Sequence, residues 1–226
     1  MHDKTLIGKN IMMKHRSRSR NDADTRPDHQ NQLGLERLIF FSDAVFAIAI
    51  TLLALEIRLP ETEELLDNAE LASQLSGMWH EYLAYIISFL VIGTFWMAHH
   101  RKYRYIKRYD DRLMFLNLLL LMVIAFIPFP SSIISKYPDR SATIFYALTM
   151  ASTGFLIAGI WWYATYNNRL TDPDLDARRR RDQFIAPLLT SAIFLFSIGI
   201  AFFSPNLSRL SWLLILLASF YANNRT

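Results

Sequence analysis

An aspartate lies within a long apolar stretch near the start of the chain. The stretch runs from Leu38 to Ile57, and Asp43 follows Ser42 close to its first turn. A carboxylate in the hydrocarbon layer of a membrane costs roughly 2.5–3.5 kcal/mol on insertion scales, so it must face protein or water and accept hydrogen bonds. Asp43 is therefore either an ion or proton site on a transport pathway or a structural anchor, and we favour the anchor.

Candidate hydrogen-bond donors for Asp43 occur in two later apolar stretches. Trp96, His99 and His100 lie at the end of one stretch. Asn117 lies one turn inside the next. Their depths match that of Asp43, so all of these side chains can meet in one layer. Because adjacent residues on a helix point about 100° apart, the two histidines are not expected to share a metal ion, and no metal site is predicted.

An aliphatic stripe occupies another face of the first stretch. Ile48, Leu52 and Leu55 are spaced i, i+4, i+7, and Thr51 lies beside them. At about 100° per residue, Ile48 lies about 140° from Asp43 around the helix axis. The stripe and the carboxylate are thus on nearly opposite sides. On the residues alone, the stripe is also compatible with lipid contact or core packing.

Six apolar blocks indicate an all-α membrane protein. A helix needs about 20 apolar residues to cross the hydrocarbon layer, and a soluble protein built from six such helices would have little polar surface. The predicted transmembrane helices are 38–57, 82–98, 113–129, 142–166, 184–203 and a shorter one at 207–221. The polar first 33 residues predict a mobile cytoplasmic extension. Residues 34–226 then form one six-helix transmembrane domain.

The distribution of charge predicts the orientation in the membrane. Of the 24 Lys and Arg residues, 20 fall in alternate segments between the blocks and 4 in the others. The positive-inside rule places the 20 in the cytoplasm, together with both termini, which agrees with an even number of spans. The distribution of the basic residues is therefore explained by the membrane topology. The net charge of +4 does not by itself indicate nucleic-acid binding, and no nucleic-acid partner is predicted. The run Arg178–Arg181 predicts contact with anionic lipid headgroups.

Several kinds of chemistry are excluded by the residues that the sequence lacks. The absence of cysteine excludes disulfides, thiol nucleophiles and cysteine-based metal sites. The motifs G-x-x-x-x-G-K-[ST], G-x-S-x-G and H-E-x-x-H are missing, and an enzyme is not predicted. T-V-G-Y-G is missing as well, which excludes a potassium filter built from backbone carbonyls.

The motif Arg37-x-x-x-Phe41-Ser42-Asp43 at the start of the first of six spans resembles the signature of the transmembrane protein 175 family of potassium channels. The motif occurs once, so the chain resembles the single-repeat prokaryotic form. The similarity covers roughly residues 35–222 and says nothing about the N-terminal extension.

Two later segments resemble the same family. Trp96-x-x-His99-His100 is similar to its second span, and Asn117 followed by Pro128-Phe129 is similar to its third. The resemblance implies a hydrogen-bonded network that anchors the first helix. Carried over by position, the members of that network are Arg37, Phe41, Ser42, Asp43, Trp96, His99 or His100, and Asn117.

The resemblance also implies a homotetramer whose first helices line a central pore without a P-loop filter. The hydrophobic constriction then falls on Ile48, Leu52 and Leu55, and a threonine implicated in selectivity falls on Thr51. The implied function is K⁺ conduction across a prokaryotic plasma (inner) membrane, with no cofactor and with no protein partner besides its own copies. The alternative is a proton-coupled cation transporter that uses Asp43, although the chain shows neither inverted repeats nor broken helices.

Overall fold

The computed structural model describes residues 31–59, 67–137 and 139–212, which form helices and short connections. One isolated antiparallel β-bridge joins Ile106 to Thr171. The first helix, α1, spans Asn31–Leu55. The remaining helices are α2 (Asn68–Gly77), α3 (Trp79–Tyr103), α4 (Asp111–Phe126), α5 (Pro128–Lys136), α6 (Arg140–Thr165), a 3₁₀ turn (Tyr166–Asn168), α7 (Ala177–Ala201) and α8 (Pro205–Ser211).

Five helical segments of the described residues are long and apolar enough to cross a membrane. They are Asn31–Leu55, Trp79–Tyr103, Asp111–Lys136, Arg140–Asn168 and Ala177–Ala201. Each segment overlaps one of the first five predicted spans, although the bounds differ; the first begins at residue 31 where 38 was predicted, and the fifth at 177 where 184 was predicted. Most of the sixth predicted span, 207–221, lies outside the described residues, as does nearly all of the extension 1–33. The sixth span and the extension therefore stay predictions.

The third span is longer than the sequence predicts. The prediction ends at residue 129, whereas α4 and α5 run together to Lys136. Ile127 joins them with helical backbone angles (φ −55°, ψ −38°). Pro128 is the first residue of α5, a position where the missing proline N–H is tolerated because the first helical turn has no intrahelical partner for it. The prolines thus begin a further helical segment.

A short surface helix, α2, lies in the acidic segment between the first two predicted transmembrane helices. The Asp67 carboxylate accepts a hydrogen bond from the Glu70 backbone N–H at 2.7 Å, and the Glu70 carboxylate accepts one from the Asp67 N–H at 3.1 Å. This reciprocal capping satisfies two backbone donors that a helix N-terminus otherwise leaves free. The acidic side chains therefore start a helix here.

The central helix α6 packs against α7 and also contacts α3, α4, α5 and α8. A β-carbon added at Gly154 would lie 2.2 Å from the Ser191 hydroxyl oxygen and 2.8 Å from the Pro187 carbonyl oxygen. The Ser191 hydroxyl donates to the Ala151 carbonyl at 2.9 Å. Small residues and interhelical hydrogen bonds of this kind hold membrane helices together where the hydrophobic effect cannot. The absence of a side chain at Gly154 therefore lets α6 and α7 pack closely.

Candidate pore helix and its anchoring network

One face of α1 is packed into the subunit. Leu38, Ser42, Phe46, Ala49 and Leu53 are all buried, at intervals of three and four residues. This spacing places them on one side of the helix, because 3.6 residues make one turn. Four of them are apolar and belong to the same core as buried residues of α3, α4 and α6. The helix is therefore held by the subunit along its length.

Another face of α1 has no covering from the described residues. The exposed fractions of Ile48, Leu52 and Leu55 are 57%, 40% and 62%. Thr51 is exposed beside them, and its hydroxyl donates to the Ile48 carbonyl at 2.8 Å. Along this face, about two turns of large aliphatic side chains are therefore left uncovered by the described residues of one subunit.

The hydroxyl of Ser42 and the amide of Asn117 lie at the centre of a buried polar cluster. The Asn117 Nδ2 donates to the Ser42 Oγ at 2.9 Å, and Ser42 donates in turn to the Leu38 carbonyl at 2.7 Å. The Asn117 Oδ1 accepts from the Tyr103 hydroxyl and lies 3.0 Å from the His99 Nε2. The exposed fraction of each of these four polar side chains is 3% or less. Helices α1, α3 and α4 thus meet in one network.

The neighbouring residue Asp43 has a separate partner. The Trp96 indole N–H donates to the Asp43 Oδ1 at 2.8 Å, and the carboxylate is half-buried. Because Ser42 and Asp43 are adjacent on a helix, their side chains point about 100° apart and cannot enter the same cluster. The sequence analysis placed all the donors in one layer; the structure divides them into a Ser42 cluster, which includes Asn117, and an Asp43–Trp96 pair.

The two histidines of α3 have different positions. His99 is buried, and its ring stacks on Tyr103 with the ring centroids 4.1 Å apart. An amide oxygen is only an acceptor, so a hydrogen bond to the Asn117 Oδ1 requires the proton on the His99 Nε2. His100 is exposed, with its ring centroid 5.6 Å from that of Trp96. Within the described residues, His99 is thus the histidine that reaches the Ser42 cluster.

Two members of the motif lie outside the network. Arg37 is exposed and makes no hydrogen bond or ion pair with the described residues, and the exposed fraction of Phe41 is 52%. Tyr103, in contrast, is a network member that the sequence analysis did not single out. The signal was its spacing of four residues from His99, which places both side chains on one face of α3.

The cluster has the composition of a structural anchor. Every member has a hydrogen-bond partner within the cluster, and interhelical bonds of this type contribute about 0.6–2 kcal/mol each in a membrane. Within the described part of the chain, no group of three or more His, Cys, Asp or Glu side chains could hold a metal ion. The network can therefore fix the rotation of α1 and hold its aliphatic face away from the subunit core.

The fold and this network define a multi-pass membrane protein whose first helix is anchored on one face and uncovered on another. The family model described as "Endosomal/lysosomal potassium channel TMEM175" matches residues 37–128. With a relative that is 40% identical, this match shows that the chain belongs to the TMEM175 family of ion channels, and the resemblance noted in its sequence is confirmed.

Relatives and a solved structure support this assignment. A protein of Streptomyces collinus, named a potassium channel, is 40% identical over 177 residues, which are 76% of this chain and 84% of the relative. The crystal structure of a lysosomal potassium-selective channel TMEM175 homolog from Chamaesiphon minutus has a TM-score of 0.73 and 29% identity, covering 84% of this chain and 98% of that one. A relative from Danio rerio, named an endosomal/lysosomal proton channel, is 29% identical over 52% of this chain and 22% of its own length.

Proposed function

We propose that this protein is a potassium channel in which the α1 helices of four identical subunits surround the pore. The observation that carries the proposal is the uncovered aliphatic face of α1, formed by Ile48, Leu52 and Leu55, on a helix whose other side is buried and hydrogen-bonded. A subunit with one such helix cannot enclose a pore, so copies must associate around an axis. The names of the bacterial relatives support potassium as the permeant ion.

Rings of aliphatic side chains would form the narrowest part of the pore. At a ring of four Ile48 side chains, an ion must shed part of its hydration without carbonyl oxygens to replace the water. K⁺ holds its water less tightly than Na⁺, so K⁺ has the lower barrier. Thr51 lies beside the stripe, and its hydroxyl oxygen, which donates its hydrogen to the Ile48 carbonyl, keeps lone pairs that can face the ion.

The proposed location is the plasma (inner) membrane of a prokaryote, with both termini in the cytoplasm. The distribution of Lys and Arg supports this orientation, because 20 of 24 fall on the side of the N-terminus. The bacterial sources of the relatives from Streptomyces collinus and Chamaesiphon minutus support the location. Cytoplasmic termini also require the sixth span at 207–221.

A second candidate function is proton-coupled cation transport through Asp43. The observation in its favour is that Asp43 is half-buried within a membrane span and has a titratable carboxylate. The observation against it is that this carboxylate accepts a hydrogen bond from Trp96, as a structural residue does. The two functions differ in stoichiometry, because a channel passes K⁺ without an obligatory proton counter-flux.

The test is ion flux in liposomes loaded with KCl and containing the purified protein. We expect K⁺ efflux down its gradient with no proportional proton uptake when the membrane potential is clamped. The substitution Ile48→Asn places a polar group in the proposed constriction. We expect it to raise K⁺ and Na⁺ flux and to reduce the preference for K⁺ over Na⁺. Unchanged flux in a folded Ile48→Asn protein would mean that Ile48 is not part of the constriction.

The matched control is Ile86→Asn on α3. Ile86 is an isoleucine of similar exposure, 50% against 57% for Ile48, on a different helix. We expect wild-type flux and ion preference from this variant. Equal effects of the two substitutions would contradict a pore lined by α1, and strict one-to-one exchange of K⁺ for protons in the wild type would contradict the channel.

A further inference from the structure

A cavity of about 380 Å³ opens between the end of α6 and the beginning of α7, away from the pore helix. Its lining combines cationic side chains with aromatic and aliphatic ones. The lining residues are Trp162, Thr165, Leu175, Ala177, Arg180, Arg181 and Phe184. Neither the pore helix nor its anchoring network contributes to this cavity.

Arg180 is held in the cavity wall by two hydrogen bonds. Its backbone carbonyl accepts from the Trp161 indole N–H at 2.9 Å. One terminal nitrogen of its guanidinium donates to the Asn168 Oδ1. Asn168 has a φ of 52°, in the left-handed region, and so ends the turn after α6 with its amide beside α7. The α6–α7 connection thus fixes this arginine in place.

The guanidinium of Arg180 retains an unused donor. Its Nε is shielded from solvent and has no hydrogen-bond partner among the described residues. A buried donor on a charged group is costly when it is left unpaired. Arg180 lines the cavity, and its guanidinium can offer an anionic oxygen there a charge-assisted hydrogen bond.

Positive charge is concentrated in the first turn of α7 beside the cavity, whereas the preceding connection holds Asp172, Asp174 and Asp176. The segment 178–182 holds four arginines and one aspartate, Asp182. Asp182 lies 3.8 Å from the Arg178 Nε and 3.6 Å from the Arg181 Nε, in exposed pairs. Exposed pairs of this kind are worth little and leave both guanidinium groups able to bind other anions. The arginines on the α7 side, of which Arg180 and Arg181 line the cavity, are the groups that an anion would meet there.

The apolar part of the lining indicates which kind of anion fits. Trp162 is 56% exposed, and Phe184 is partly buried on the facing helix. Both lie near the ends of membrane-spanning helices, where tryptophan marks the boundary between hydrocarbon and headgroups. A small soluble anion would make no favourable contact with these apolar side chains. A lipid presents a phosphate next to a glycerol backbone and acyl chains, and matches both parts of the cavity.

We propose that this cavity binds the headgroup of an anionic phospholipid, with the phosphate on Arg180 and Arg181 and the glycerol region against Trp162 and Phe184. The bound lipid would bridge the end of α6 and the beginning of α7. Anionic lipids are concentrated in the cytoplasmic leaflet, the side on which the charge distribution places these arginines.

The experiment is native mass spectrometry of the purified full-length protein titrated with phosphatidylglycerol, with phosphatidylcholine as the zwitterionic lipid. We expect saturable binding of one phosphatidylglycerol per subunit, and about tenfold weaker binding in the double variant Arg180→Gln/Arg181→Gln. The matched control is Arg178→Gln/Arg179→Gln, which removes the same charge from the same helical turn but from residues that do not line the cavity. We expect this control to bind nearly as the wild type does.

Three outcomes would overturn the proposal. Equal losses in the two double variants would mean that charge alone attracts the lipid. Equal affinity for phosphatidylcholine would mean that the anionic headgroup is not recognised. Displacement of phosphatidylglycerol by inorganic phosphate at similar concentration would assign the site to a soluble anion. If Arg180→Gln prevents folding, the single variants Arg181→Gln and Arg179→Gln make the same comparison without altering the bond to Asn168.

Discussion

The side-chain amide of Asn117 donates a hydrogen bond to the hydroxyl of Ser42 across 2.9 Å, and neither side chain is exposed. The two residues are 75 positions apart in the chain, on α4 and α1. Because the uncovered aliphatic face of α1 is defined by the rotation of that helix, this one contact couples the core of the subunit to the proposed pore. The amide of α4 therefore helps to fix which side chains of α1 would face the proposed pore axis.

We predict that Asn117→Ala destabilises the protein by about 2 kcal/mol, as expected when buried polar groups lose their partner. The substitution leaves the Tyr103 hydroxyl and the His99 Nε2 without the shared acceptor. Thermal unfolding in detergent measures the loss. The control is Thr94→Ala, because the Thr94 hydroxyl is exposed and donates only to the Leu90 carbonyl within α3. Similar unfolding temperatures for the two variants would contradict an anchoring role for Asn117.

We predict that Asp43→Asn retains channel flux. The asparagine Oδ1 can still accept the Trp96 indole N–H, which the Asp43 carboxylate accepts at 2.8 Å, although a neutral acceptor makes a weaker bond. K⁺ flux in liposomes, compared at equal amounts of folded protein, measures the effect. A folded Asp43→Asn protein without flux would instead support a transporter in which this carboxylate carries protons.

The angular separation of the faces of α1 could be predicted from the sequence because helical periodicity fixes it, but which face the subunit covers could not. Ser42 and Ile48 are six residues apart and so point about 120° apart on an ideal helix; in the structure one is buried and the other exposed. The family could also be predicted, because the motif at Arg37–Asp43 depends on residue types and spacing. Both inferences can be made without knowledge of how the helices pack.

The partners within the network could be predicted only in part. His99 and His100 point in different directions, and the choice between them depends on which face of α3 meets α4, a property of tertiary packing. Tyr103 is typical of an interfacial aromatic by its position near a helix end, yet in the structure it is buried and bonded to Asn117. The extra length of the third span was missed because Pro128 can either end a helix or begin one.

We predict that Gly154→Ala destabilises the bundle by about 1–3 kcal/mol through overpacking between α6 and α7. The added β-carbon would lie 2.8 Å from the Pro187 carbonyl oxygen, which belongs to backbone and cannot rotate away. Gly159→Ala is the matched control on the same helix, because a β-carbon there meets nothing within 4 Å. Thermal unfolding should separate the two, and a Gly154→Ala protein as stable as the Gly159→Ala protein would show that the helices separate without cost.

If the α1 helices converge on one axis as proposed, a cysteine variant should be blocked by a metal ion. The natural chain contains no cysteine, so Ile48→Cys introduces one thiol per subunit and no others. Four Cys thiolates, one from each subunit at the proposed constriction, would coordinate Cd²⁺, since soft metal ions prefer thiolate ligands. We therefore expect micromolar Cd²⁺ to stop K⁺ flux through the Ile48→Cys protein and a chelator to restore it.

The controls for this block are the wild type and Ile86→Cys, whose thiol on α3 has similar exposure in the subunit. Cd²⁺ should leave K⁺ flux unchanged in both, because their subunits place no thiol near the proposed axis. If Cd²⁺ blocked only the Ile86→Cys protein, the pore would be lined by α3 and not by α1. An Ile48→Cys protein whose thiols react with a maleimide, but whose flux ignores Cd²⁺, would mean that the uncovered face of α1 meets lipid and does not surround the ion path.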